Sequence, residues 1–251
     1  MKTKKIIVLL IILIAVVAVD VFLQYSHILE NMRISFVNKP GTMAIQDKTI
    51  TDNTKPFAIK IVYPQIAGLD DFNQKAKAIV DKEINDFKTN SLANDEVVKK
   101  VDPTSYANYP REYALNIGYD KGKIDNNVAS VVFNVYTFEG GAHGVSYFVA
   151  LNYDVKNRKE ITLVDLFPNQ QDYLQKISDY CIKDLTKQII TEMGSTEGSW
   201  LQDGAGPKAE NFQYFLINPS TSSGQATITF YFPQYQVAPG VAGDFKVTMP
   251  R

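Results

Sequence analysis

His143 sits in Glu139-Gly140-Gly141-Ala142-His143-Gly144, the stretch of the chain best equipped for chemistry. An imidazole four positions from a carboxylate suits a general base or a metal ligand. Each role needs more than that pair. A metal site takes several ligands, and no His/Asp/Glu spacing elsewhere completes one. Base catalysis needs a nucleophile and an oxyanion site nearby, and the sequence places neither. A tight turn held by structural hydrogen bonds is the simpler expectation. The glycines do not form a nucleotide loop, because a strand rather than a helix follows them. The chain holds 2 His, and His27 lies just past an N-terminal apolar run, so histidine chemistry rests on His143. The 1 Cys, Cys181, excludes a disulfide framework or Cys-rich zinc site and falls on the apolar side of a helix, as a small core residue would. Trp200, the only Trp, lies in the Gly-rich stretch 194–207 and is a candidate recognition anchor. Tyr235 follows the aromatic group Phe230-Tyr231-Phe232, most of which is expected to fill a sheet core. The candidate binding residues are therefore Glu139, Gly140, Gly141, His143, Trp200 and Tyr235. No catalytic set, metal or cofactor is expected.

Several elements must position these groups. Phe57 to Tyr63 alternates as a strand, and Pro64 is expected to end it. Leu69 to Asn90 carries Phe72, Ala76, Ile79, Val80, Glu83 and Phe87 at helical spacing, with Asp70 and Asp71 suited to its N-terminus. The polar stretch Asn90 to Ala107, with Pro103, is expected to be a loop. Strands follow at Tyr113–Tyr119, Val128–Phe138 and Val145–Val155, with a turn expected at Asp120-Lys121-Gly122-Lys123. Asp165-Leu166-Phe167 reads as an anchor: the apolar pair packs inward while Asp165 bonds to backbone. A second amphipathic helix spans Gln171–Met193, with Leu174, Ile177, Cys181, Leu185 and Ile189 on one face and Gly194 as its stop. Strands at Phe212–Ile217, Ala226–Phe232 and Phe245–Met249 close the chain. Two helices isolated between strand runs point to an α+β fold with antiparallel sheets.

The 251 residues carry 26 Lys+Arg and 27 Asp+Glu, a net charge of −1 without a long basic run, which argues against nucleic-acid binding. The apolar share of 45% is that of a folded chain. Ile6–Val19 is unbroken apolar and resumes at Val21-Phe22-Leu23, directly after Lys2, Lys4 and Lys5. Eighteen such residues span about 27 Å as a helix, enough to cross a hydrocarbon core. The expectation is a single-pass signal-anchor over 1–23, N-terminus cytoplasmic and the bulk of the chain outside a bacterial cell membrane, with a cleaved signal as the alternative. A tether over 24–49 would follow. Removing residues 1–23 takes away three Lys and one Asp, leaving 23 basic and 26 acidic residues and a net −3.

One further pattern joins these pieces. Phe138-Glu139-Gly140-Gly141-Ala142-His143-Gly144, then Asn152-Tyr153-Asp154, then Ile161-Thr162-Leu163-Val164-Asp165-Leu166-Phe167 resembles the C-terminal domain of RsiV-type anti-sigma factors. The tail agrees through Phe230-Tyr231-Phe232-Pro233-Gln234-Tyr235-Gln236-Val237-Ala238-Pro239, Gly243 and Val247 to Pro250. The upstream part is similar to the companion domain at the N-terminus of the PdaC peptidoglycan deacetylase. The resemblance implies an extracytoplasmic α+β module near the cell envelope, divided as a PdaC-like region at 50–137 and an RsiV-like region at 138–251. In RsiV such a module binds lysozyme; in PdaC a separate domain performs deacetylation. The sigma-binding segment and the deacetylase metal site are not matched by these residues.

The resulting expectation is a non-catalytic, membrane-anchored envelope protein that binds a protein or glycan partner, with lysozyme and peptidoglycan as candidates. An uncharacterised cell-wall hydrolase using Glu139 and His143, or a structural assembly module, are the alternatives. An exposed aromatic groove near Gly140–Gly144 and the 194–207 stretch would favour binding; a flat polar surface would favour assembly.

Overall fold

Alternating apolar residues build one broad sheet first. The computed structural model describes residues 43–108, 111–220 and 224–251. Strands β1 (Ile45–Asp52) and β2 (Phe57–Ile66) pair antiparallel. Helix α1 (Asp70–Val101) then carries the chain to β3 (Tyr113–Ile124), which lies parallel to β2. A short helix α2 (Pro103–Asn108) precedes β3. Antiparallel strands β4 (Val128–Phe138), β5 (Val145–Asp154) and β6 (Lys159–Glu160) complete six strands in the order β1-β2-β3-β4-β5-β6. The second sheet is antiparallel and holds β7 (Phe215–Ile217), β8 (Thr227–Phe232) and β9 (Phe245–Pro250). Helix α3 (Tyr173–Met193) and the four-residue helix α4 (Leu201–Gly204) precede it.

Residues 43–251 form one compact unit of four layers. Phe72, Ala76, Val80 and Phe87 of α1 pack on Leu115, Ile117, Val131, Phe133 and Leu151, one side of the large sheet. Val132 and Phe148 on its other side meet Leu216 and Tyr231 of the small sheet. Ile177, Cys181, Leu185 and Ile189 of α3 cover the far side of the small sheet through Ile228, Phe230, Phe232 and Val247. Burial pushes the Cys181 thiol up to about 12, as expected of a core residue.

The join between sheets is polar at its centre. Ser130 is fully buried; its hydroxyl donates to Asn152 Oδ1 at 2.5 Å and accepts from the Ile217 N–H at 2.8 Å. Asn152 in turn donates to the Phe215 carbonyl at 2.9 Å. The free edge of β7 is thus satisfied by side chains of β4 and β5. Gly122 allows that approach, since a Cβ there would lie 2.4 Å from the Ile217 carbonyl oxygen.

Several expectations need correction. Sheets are not purely antiparallel, because α1 links β2 to a parallel β3. Residues 90–101 are helix rather than loop: α1 runs 32 residues, and Pro103 breaks it only after Val101. Its polar far half is solvated helix, which periodicity alone cannot separate from loop. The turn expected at 120–123 lies inside β3, with a register shift between Lys121 and Ile124; the reversal occurs at Asp125, whose carboxylate accepts from the Asn127 and Val128 N–H groups. β2 runs past Pro64 because pairing to β3 ends at Ile61, where a missing N–H costs no ladder bond. Ile45–Gln46-Asp47-Lys48-Thr49, expected in the tether, belong to β1. The Phe212–Ile217 strand shrinks to β7, and α4 occupies part of the expected 194–207 loop. Among the described residues no helix is long and apolar enough to cross a membrane. The 1–23 segment and most of the tether lie outside the described residues. The expected 137/138 division falls inside β4, one residue before its end, and β4 pairs with β5 along its length.

Candidate functional site

The β4–β5 turn and the segment after β8 meet at one edge of the molecule. Gly140 has φ +90°, and a Cβ there would lie 2.9 Å from the Tyr113 ring, so the turn takes this path only with glycine. Gly144 lies under the Tyr136 ring, 2.4 Å from its outer atoms at the position a Cβ would take. His143, exposed between them, donates from Nδ1 to the Gly144 carbonyl at 2.9 Å. Its Nε2 is then left to accept from the Tyr235 hydroxyl, 3.5 Å away.

Tyr235 is held from three sides. Its φ is +68°, a left-handed conformation that costs a non-glycine residue about 1–2 kcal/mol. The indole N–H of Trp200 donates to its carbonyl at 2.9 Å, and the Trp200 backbone N–H donates to Val237 at 3.0 Å. Gln236 donates to the Gly204 and Asn211 carbonyls at 2.7 and 2.9 Å. The Tyr235 ring lies over Gly240, where a Cβ would come within 2.2 Å of it. Tyr235 is 50% exposed, Tyr136 40% and Trp200 36%, so a fixed aromatic edge faces solvent.

Next to that edge the outer side of the large sheet forms an open groove of about 490 Å³. Its lining side chains include Lys60, Asn116, Asn134, Tyr136 and Ser146 from four adjacent strands, and Asp244 from the chain leading into β9. Lys60 lies opposite Asn116, Asn116 opposite Tyr136, and Tyr136 opposite Ser146. Asp120 is tied to Lys246 and Tyr231 at 2.8 Å each and to Asn134 at 3.2 Å. Burial works to raise its pKa, and those three bonds together outweigh burial and hold it below the usual carboxylate range.

Glu139 and His143 are not brought into one site. The Glu139 carboxylate accepts from Asn90 of α1, and its carbonyl accepts from Asn94 at 3.1 Å, while His143 faces Tyr235. Burial raises the Glu139 pKa, Asn90 opposes this, and Asp86 adds to it. Asp165 caps its own turn, accepting from the Thr162 N–H and hydroxyl at 2.8 and 2.7 Å, while Leu166 and Phe167 are buried. Among the described residues no cluster of His, Cys, Asp and Glu is arranged to hold a metal. The sequence reading missed Tyr136, Lys60, Asn116, Asn134, Ser146 and Asp244. A signal existed: polar residues at alternate positions of strands whose other face is apolar mark an outward side. It did not say which part of that side stays uncovered.

Residues 50–146 match a family model described as deacetylase PdaC, and residues 164–251 match one described as a protein of unknown function, DUF3298. This is the order of regions expected from the motifs. The chain is 25% identical over 244 residues to "Peptidoglycan-N-acetylmuramic acid deacetylase PdaC" of Bacillus subtilis (strain 168), covering 96% of this chain and 48% of that protein. It therefore spans about half the length of that curated relative. A crystal structure of a DUF3298-family protein from Bacteroides fragilis superposes with a TM-score of 0.53 at 17% identity, covering 85% of this chain and 92% of that one. One from Pseudomonas aeruginosa gives 0.46 at 12%, covering 85% and 91%. The former shows a shared mixed α+β fold.

Proposed function

We propose that this chain is an extracytoplasmic binding protein, anchored by its N-terminal apolar segment, that holds a glycan of the cell envelope on its aromatic edge. The observation that carries this reading is the fixed, exposed run Tyr136, His143, Tyr235 and Trp200 beside a groove of mixed polar and apolar lining. Rigid aromatics with polar neighbours suit a ligand whose rings have apolar faces and hydroxylated rims. Strain at Tyr235, held by three neighbouring segments, is what a preformed recognition loop requires. The similarity to a peptidoglycan deacetylase supports a cell-wall ligand. The RsiV-like motifs make lysozyme the second candidate, and a net −3 adds little to either. The hydrolase alternative is less well supported, because Glu139 and His143 have separate partners.

The test is retention of the full chain on purified cell wall and on immobilised lysozyme. Retention on cell wall is expected, weakened about tenfold or more by Tyr235→Ala or Trp200→Ala, as for aromatic anchors at a contact centre. Capture by lysozyme alone would replace the glycan by a protein partner. Retention on neither would remove the binding reading.

A further inference from the structure

Gly118 lies in the middle of β3, on the groove side of the large sheet. Glycine inside a strand costs roughly 0.5–1 kcal/mol against alanine, so it needs a reason. Gly122, four residues further along the same face, has one in the carbonyl of Ile217. Gly118 has none among the described residues: a Cβ there would meet nothing within 4 Å, and its φ lies outside the left-handed region. What the missing side chain provides is depth, leaving the sheet backbone as the floor of the groove.

The walls around that floor join apolar Val62 and Phe148 to a set of polar side chains that are unspent. The side chains of Lys60, Asn116, Tyr136, Ser146 and Asp244 have no hydrogen-bond or ion-pair partner among the described residues. Asn134 gives one amide N–H to Asp120, which orients it and leaves its oxygen to offer. Asn116 and Asn134 are diagonal neighbours across β3 and β4, roughly 7–8 Å apart at Cα. One cation and one anion line the groove, so it carries no net charge. We propose that this groove is a subsite for an acetamido-sugar chain, with Gly118 as the floor on which one sugar ring rests. This rests on the glycan reading above and names the sugar class. Each amide matches the N–H and C=O of an acetamido group, the Tyr136 ring suits the apolar face of a pyranose, and Ser146, Lys60 and Asp244 suit ring hydroxyls. The chain would leave the groove over Tyr136 toward His143 and Tyr235, since Gly144 joins the two surfaces.

The experiment is calorimetric titration of the full chain, in detergent micelles, with chitotetraose and with cellotetraose, which lacks the acetamido groups. Saturable chitotetraose binding is expected, with cellotetraose weaker by about tenfold or more. Asn116→Ala should weaken chitotetraose by about three- to tenfold, as for one lost neutral hydrogen bond. Gly118→Val should abolish binding while the melting temperature stays level or rises, because the added side chain fills the ligand's space and favours the strand. Gly118→Ala repeats the test with the smallest added group. No chitotetraose binding, or wild-type affinity in both Gly118 variants, overturns the proposal. Should the Gly118→Val chain still be retained on cell wall as wild type is, the groove fails and the aromatic edge stands. Absence of retention in the wild type removes both. A change in sedimenting mass in Gly118→Val with unchanged titration would assign the face to a second copy and also overturn it.

Discussion

Glu139 shows how one side chain is read differently by spacing and by surroundings. Four positions from His143 it suggests a catalytic pair, yet the turn sends its carboxylate toward Asn90 and Asp86 of α1. Burial there favours the neutral acid, so the folded state binds the proton more tightly than the unfolded chain. A raised folded pKa gives stability that is complete below the unfolded value, about 4.3, and is lost as pH rises through the folded one. Glu139→Gln removes that loss. The variant is expected to melt above wild type at pH 7, with the gap closing as pH falls toward about 4 in thermal scans. A gap independent of pH, or of opposite sign, would show that the carboxylate is not penalised. The type and position of Glu139 were legible in the sequence. Its partners were not, because they lie on a helix about fifty residues earlier in the chain.

Strands and helices followed from apolar periodicity wherever a face was buried against a core. The lining of α3 by Ile177, Cys181, Leu185 and Ile189, and its stop at Gly194 with φ +81°, match the spacing. Periodicity failed where an element ran past its core, as in the solvated end of α1, or where a strand accepted an irregularity, as in β3 and at Pro64 of β2. The polar join between the sheets is the element-scale feature that tests packing most directly. Ser130→Ala leaves the Ile217 N–H without its acceptor in a buried place. A loss of about 1–3 kcal/mol is expected, roughly 3–10 °C in Tm. Asn152→Ala should cost a similar amount, and the double variant less than the two together, since both act on one network. Full additivity in a double-mutant cycle would dissolve the network.

At the scale of the molecule, the two family-model matches at 50–146 and 164–251 do not correspond to two independent cores. β5 spans Val145–Asp154, so it runs through the end of the first match, and β7 is bonded to β4 and β5 by Ser130 and Asn152. Residues 43–251 are expected to unfold in one calorimetric transition, with a truncation before residue 164 exposing Val132 and Phe148 and binding hydrophobic dye. Two separated transitions in the whole chain would mean that the sheets fold apart. The sequence by itself determined the α+β class, the two main apolar helix faces, the scarcity of His and Cys and the aromatic residues near Tyr235, because composition and short-range spacing carry those. Only the tertiary structure decided that Tyr136 belongs with His143, Tyr235 and Trp200, and that a row of polar side chains stays uncovered above Gly118. The small sheet covers one part of the large sheet and leaves the rest open. Its placement is set by contacts between residues a hundred positions apart, such as Asp120 with Tyr231, which no local pattern encodes.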